Sequence, residues 1–306
     1  MTYPDADASV LKAEVAELKK TRNALILAHY YQRPSVQHVA DFIGDSLELS
    51  RKAVETDADV VVFCGVRFMA ETAAILNPDK VVLLPEPQAE CQMAAMATAE
   101  QVRRRMQSLS DGTAVVSYVN CLAEVKAESY ACCTSANAVQ VVASVPHERV
   151  LFVPDRNLAA YVAEQTEKDV VRWDGHCYVH DPNITPDAIR DLMRLYPDAV
   201  VMVHPECSAA VRKVADFVGS TSQMLDYAKG SEADVFIVGT EEGMVYPLQE
   251  RLPRKEFYAT GSVCSSMRLT TLASVRRALD RMSNVVRVPQ AVCEQAAVAL
   301  GRMLDA

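Results

Sequence analysis

Glycine is scarce: the chain has 10 in 306 residues, about 3% against a usual share near 7%. None of them form G-x-G-x-x-G or G-x-x-x-x-G-K-[ST], so the common dinucleotide and P-loop signatures are excluded. No apolar run reaches the 18 or more residues of a membrane span. The first ten residues carry two Asp and no basic stretch, which argues against a secretory signal. Lys and Arg number 31 against 40 Asp and Glu, a net charge of −9, and no basic stripe compensates. A nucleic-acid binder is therefore not expected. The nine Cys include no C-x₂-C pair, and their odd number does not fit a secreted disulfide scaffold. A cytoplasmic protein with no membrane or nucleic-acid partner is expected. At 50% hydrophobic residues, the chain has enough apolar material for packed cores.

Length alone suggests about two domains, but the sequence repeats three times. Three apolar runs end in polar residues: Leu25–Tyr31, Val115–Asn120 and Val201–Glu206. Aligning them pairs His29 with Tyr118 and His204, at offsets of 89 and 86, and Tyr31 with Asn120 and Glu206. About 15 residues later come Gly44-Asp45-Ser46, Cys133-Thr134-Ser135 and Gly219-Ser220-Thr221. Each precedes a helix-like stretch. Val60–Phe63, Val150–Val153 and Val235–Val238 then read as buried strands. A last short strand in each unit leads to Cys91, Cys177 or Cys264, spaced by 86 and 87 residues.

Each unit thus reads as strand, helix, strand, helix, strand, helix. The fold class is α/β, with three repeated α/β/α modules bearing short parallel sheets around a central site in pseudo-threefold arrangement. The expected divisions are 21–92 with 266–306, 93–178 and 179–265. Helix 1–20 packs outside, and both C-terminal helices return to the first module.

Ligands in open parallel sheets sit beyond the carboxyl ends of the strands. His29, Tyr31, Tyr118, Asn120, His204 and Glu206 all lie at such ends. Three thiols at one repeat position suit a metal, either Zn²⁺ or an Fe–S cluster. The plainer reading is that repeats preserve small buried residues. Cys64, Cys121, Cys132, Cys133, Cys207 and Cys293 are read in that way. Ser46, Ser135 and Ser220 or Thr221 are natural helix N-caps, and helix starts also hold anions. His38, His147, His176 and His180 gain no support from the repeat. Glu241 and Glu242 are read as loop-surface charges rather than cavity carboxylates.

Several ordered motifs resemble the quinolinate synthases. They are Ala28-His29-Tyr30-Tyr31-Gln32, Asp41–Leu47, Val116–Asn120, Cys133–Ala138, His204-Pro205-Glu206-Cys207 and Gly219–Met224. The resemblance implies a [4Fe–4S] cluster on Cys91, Cys177 and Cys264, with one iron open as a Lewis acid. It implies condensation of iminoaspartate with dihydroxyacetone phosphate, losing phosphate and water to give quinolinate. It carries substrate contacts to His29, Tyr31, Ser46, Tyr118, Asn120, Ser135, His204, Glu206, Ser220 and Thr221. Glu206, with His204 nearby, is expected to move protons, and Tyr31 to serve ring closure. A functional link to an iminoaspartate-producing aspartate oxidase or dehydrogenase follows. The chain departs from the family's usual Cys-x-Asn-Met-Lys at Cys264-Ser265-Ser266-Met267-Arg268. Two other readings stand beside this one: a zinc-dependent lyase or hydrolase on the same thiols, and a non-catalytic three-module anion binder.

Overall fold

A computed structural model of the chain describes residues 5–306. Helix α1 (Asp5–Thr21) leads into the first unit: β1 (Ala24–His29), α2 (Pro34–Gln37), β2 (Phe42–Gly44), α3 (Ser46–Glu55), β3 (Val60–Cys64), α4 (Arg67–Leu76) and β4 (Val81–Leu83). The second unit holds α5 (Ala99–Gln107), β5 (Thr113–Tyr118), α6 (Ala123–Ala127), β6 (Ala131–Cys133), α7 (Ala138–Ser144), β7 (Arg149–Val153), α8 (Arg156–Gln165) and β8 (Asp169–Arg172). The third holds α9 (Pro186–Leu195), β9 (Val200–Val203), α10 (Ala209–Arg212), β10 (Phe217–Val218), α11 (Thr221–Gly230), β11 (Val235–Gly239), α12 (Val245–Arg251) and β12 (Glu256–Ala259). Helices α13 (Leu272–Arg281) and α14 (Gln290–Leu304) follow.

Each unit forms a four-stranded sheet, in the orders β2-β1-β3-β4, β6-β5-β7-β8 and β10-β9-β11-β12. Every named pair is parallel. The register repeats too. Ala24 pairs with Val60, Thr113 with Arg149 and Val200 with Phe236, a separation of 36 residues each time. The central strands β3 and β7 are apolar runs because helices cover both faces of a parallel sheet. Each sheet has four strands where the sequence pattern shows three. The extra ones are β2, β6 and β10, of three residues or fewer. So short a strand carries too little alternation to be read.

In every sheet the first strand of the unit lies between the second and the third. A crevice therefore opens at the carboxyl ends of β1, β5 and β9, where chain direction switches across the sheet. A large core joins residues of all three units, and smaller clusters lie outside it. Val15 of α1 is buried with Leu272, Val275 and Leu279 of α13 on the outer face of the first sheet. Helix α14 differs from the sequence expectation. It lies against α6 and edge strand β6 as well as α4, burying Ala296, Ala299, Leu300 and Met303. Its apolar face thus bridges the first two units. Asn137 Nδ2 donates to the Met303 carbonyl at 2.9 Å, which fastens the helix end to the second unit. Among the described residues, no helix is long and apolar enough to cross a membrane.

One repeated position clamps the units internally. Gln37, Lys126 and Arg212 each donate to the carbonyl five residues earlier: Gln32 at 2.9 Å, Cys121 at 2.8 Å and Cys207 at 2.9 Å. Lys126 also reaches the Phe68 carbonyl of the first unit at 3.2 Å, and Arg212 the Asn157 carbonyl of the second at 3.4 Å. Burial pushes the Lys126 ammonium down. Lys126→Met keeps the apolar stem but leaves buried carbonyls unpaired. A loss of about 2–3 kcal/mol in chemical denaturation is expected.

Candidate active site

The strand ends build the site through a shared turn. His29 ends β1, and its Nδ1 accepts the Tyr31 backbone N–H at 3.2 Å. His204 follows β9, and its Nδ1 accepts the Glu206 N–H at 3.3 Å. A ring nitrogen that accepts cannot carry the proton, so each neutral ring presents Nε2–H. Burial pushes both imidazoles down to about 3; for His204, nearby His180 adds to the effect. Both are uncharged at neutral pH.

This makes a pH-stability prediction. The unfolded imidazoles protonate below about 6.5, whereas the folded ones resist until about 3. In that window the unfolded chain binds more protons, so stability falls as pH falls. Each imidazole contributes a slope of up to about 1.4 kcal/mol per pH unit. His29→Gln should flatten the pH dependence of denaturant unfolding between pH 6.5 and 5, a window taken from the same shift. An unchanged slope would show that the ring is not held neutral.

A chain of close polar contacts runs through the site. Tyr31 Oη lies 2.6 Å from Thr240 Oγ1, which lies 2.8 Å from His180 Nε2. His180 Nδ1 lies 2.6 Å from Glu206 Oε2. The Tyr118 hydroxyl lies beside Glu206 and Ser135. Ser135 Oγ in turn lies 3.2 Å from His204 Nε2. The His180 and His204 rings stack at 4.5 Å. Burial works against the Glu206 carboxylate, but His180, His204 and Tyr118 outweigh it and hold the group at about 2. Burial, with the negative charge of Glu206, pushes both phenols up, so Tyr31 and Tyr118 remain hydroxyl donors.

His204 is not the imidazole nearest Glu206. Its Nδ1 stands 4.0 Å away, against 2.6 Å for His180. His180 was passed over because the repeat gives it no counterpart. It lies three residues after Cys177, where the other units have Ala94 and Met267. Thr240 was missed for lack of any signal in its local sequence.

The helix starts also depart from expectation. The α3 cap is Asp45, not Ser46: its Oδ1 accepts the Leu47 and Glu48 N–H groups, each at 3.0 Å. Ser46 is thereby the first helical residue, with its side chain spared for the cavity. Asn137, rather than Ser135, stands at the α7 cap position. Ser220 does cap α11, in a capping box with Gln223. The second Asp45 oxygen accepts from Ser222 at 2.6 Å and Ser220 at 3.4 Å, tying the two helix starts together.

All the sequence-predicted positions except Ser220 line one cavity of about 70 Å³. Ser220 is buried just behind it, and its neighbour Thr221 faces inward. Asn120 Oδ1 is buried there with no hydrogen-bond partner. Glu241 is neither a surface charge nor a cavity wall: it is fully buried and paired with Arg268 at 3.0 Å. Glu242 stays exposed and lies 3.4 Å from the same Arg268.

Cys91, Cys177 and Cys264 also line this cavity. Each cysteine loop is held at one point, two residues before the thiol. The carbonyls of Ala89, Gly175 and Ser262 accept the N–H groups of Arg67, Arg156 and Glu242 at 2.8, 2.8 and 2.9 Å. Gly175 allows no side chain, since a Cβ would lie 2.3 Å from the Pro154 carbonyl oxygen. Backbone N–H groups of Met93 and Ala94 beside Cys91, and of Ser266 and Met267 beside Cys264, favour the ionised sulfur against its burial. Burial pushes the Cys91 thiol up to about 12 and raises the other two, and the thiols oppose one another's ionisation. Three sulfurs lining one cavity, one from each unit and with no cation among them, form a donor set suited to a thiophilic metal group. The other six cysteines are free and lie outside this cavity.

Fold and cavity together define a class: a three-module α/β protein whose strand ends build one central, thiol-bearing cavity. The family described as quinolinate synthetase A protein matches residues 13–305. The quinolinate synthase of Desulforudis audaxviator is 52% identical over 297 residues, covering 96% of this chain and 97% of the relative. That of Thermodesulfovibrio yellowstonii is 50% identical over 294 residues, covering 95% and 96%. That of Methanosarcina barkeri is 49% identical over 292 residues, covering 95% of each. The chain belongs to the quinolinate synthase family.

Proposed function

We propose that this chain condenses iminoaspartate with dihydroxyacetone phosphate to quinolinate, with loss of phosphate and water, on a [4Fe–4S] cluster held by Cys91, Cys177 and Cys264. The observation that carries this reading is the convergence of one thiol per unit and the Glu206 chain on a single cavity. When bound, the cluster supplies an open iron as a Lewis acid toward substrate oxygen.

The protein's own groups do the rest. The helix start at Ser46, with the hydroxyls of Ser135 and Thr221, receives phosphate and carboxylate oxygens. The Asn120 amide N–H₂ donates to the same oxygens, which leaves its unpartnered Oδ1 to accept from a substrate hydroxyl or N–H. Glu206 is anionic, the form that takes a proton from carbon during isomerisation and dehydration, and substrate that displaces its His180 contact raises its basicity toward the range this role needs. His180, Thr240 and Tyr31 pass protons between Glu206 and the far side of the cavity, where Tyr31 serves ring closure. Nε2–H of His29 and of His204 donates to substrate oxygen. Holding both reactants in a small enclosed space orders them and limits hydrolysis of the imine. An enzyme that oxidises aspartate supplies that imine.

Zinc is the second reading. One sulfur, one nitrogen and one oxygen donor from Cys177, His180 and Glu206 lie within 4.8 Å of one another. Anaerobic metal analysis separates the two. About four irons and four sulfides per chain, with quinolinate formed from the two substrates, are expected. Stoichiometric zinc in an active, iron-free preparation would overturn the cluster.

A further inference from the structure

Two buried carboxylates have no part in the chemistry above. Asp155 and Glu241 occupy one repeat position, two residues beyond β7 and β11, and neither is exposed to solvent. Each divides its oxygens between a helical start and a cysteine, and Glu241 Oε1 is also paired with Arg268. Asp155 Oδ1 accepts the Leu158 N–H at 2.6 Å and caps α8, while Oδ2 accepts the N–H of Cys177 at 3.2 Å. Glu241 Oε2 accepts the Gly243 N–H at 2.6 Å, while Oε1 accepts the N–H of Cys264 at 3.2 Å. The first unit has Val66 at this position, with no acceptor to offer Cys91, and α4 begins there without a side-chain cap.

We infer that Asp155 and Glu241 are positioning residues that brace Cys177 and Cys264, fixing the backbone from which each thiol meets the metal group. The inference rests on the ligand assignment proposed above. A cysteine's N–H, once bonded, fixes the peptide plane that leads into its Cα and so narrows where Cβ and sulfur can lie. The same carboxylate ties that cysteine to the start of the next helical segment. Two ligands are thereby anchored to secondary structure through a side chain. Cys91 relies on its backbone contacts alone.

The test uses the anaerobically reconstituted holoenzyme. Asp155→Ser keeps an acceptor for the α8 cap, since Ser caps about as well as Asp, and removes the one for Cys177. Iron release to a chelator is expected to quicken at least about tenfold, with a changed paramagnetic resonance line shape of the reduced cluster. The thermal midpoint of the cluster-free chain should stay near the parent's. Thr185→Ala serves as the control, because it removes the cap of α9, where Thr185 Oγ1 accepts the Ala188 N–H at 3.1 Å. It should lower the thermal midpoint and leave iron release unchanged. If Asp155→Ser fails to fold, Asp155→Asn decides, because its amide also offers a single acceptor oxygen. Iron release at the parental rate, or equal quickening in Thr185→Ala, overturns the inference. Cys177→Ser separates this from the ligand assignment: full iron there defeats the assignment itself. Lost iron there, with Asp155 variants at the parental rate, defeats only the brace.

Discussion

Glu206→Gln is expected to cut turnover by about three orders of magnitude and leave iron content and fold unchanged. The substitution keeps the size of a fully enclosed side chain but removes its charge and its capacity to take a proton. Positioned acid–base groups contribute roughly 10²–10⁴-fold, and Glu206 is the one carboxylate lining the cavity that also faces an imidazole, His180, at 2.6 Å. The amide also interrupts the chain through Thr240 to Tyr31, so both ends of the relay lose their partner. Quinolinate formation, iron content and circular dichroism on the same preparation decide the matter. Near-parental turnover with full iron would remove Glu206 from the chemistry.

Cys91→Ser, Cys177→Ser and Cys264→Ser should each lose most of the iron and with it all measurable turnover. Serine is nearly isosteric, but its hydroxyl is a hard, poorly ionised donor in a site that calls for soft thiolates. No other thiol lines the cavity to replace the lost one. Cys207→Ser provides the contrast. Its sulfur is buried next to the Gly239 carbonyl at 3.5 Å and outside the cavity. It should keep its iron and lose only some stability. Full iron in all three single variants would defeat the ligand assignment.

The three modules, their parallel sheets and the polar strand ends were legible because three copies of one pattern reinforce each other. The same logic explains what stayed hidden. His180 stands where the other units carry Ala94 and Met267, so comparison between units dismissed it. Thr240 depends on a contact with Tyr31 across 209 residues, which no local pattern announces. Glu241 sits in a polar stretch, Thr240-Glu241-Glu242-Gly243, that reads as an exposed loop. Its burial follows from tertiary partners: Arg268 and the N–H groups of Gly243 and Cys264. Ser46 reads as a cap because serine caps well. Asp45 caps as well and sits one residue earlier, and its second oxygen gains partners in the third unit. Residues that break the threefold pattern are thus concentrated around the chemistry.

The separation of the three thiols by 86 and 87 residues has a consequence for how the protein is made. Domains fold as the chain leaves the ribosome, N-terminal first. The strands that lead to Cys91 and then Cys177 emerge first, but α13 and α14, which cover the first unit and bridge it to the second, are made last. Cys264 arrives only when the third unit has been synthesised. Until then the nascent chain holds two thirds of a socket, its thiols open to oxidation or to a stray metal. On the proposed ligand assignment, cluster insertion is a closing event in biogenesis. A cell short of chaperones or of reducing capacity should lose this enzyme during synthesis, before it loses the finished protein.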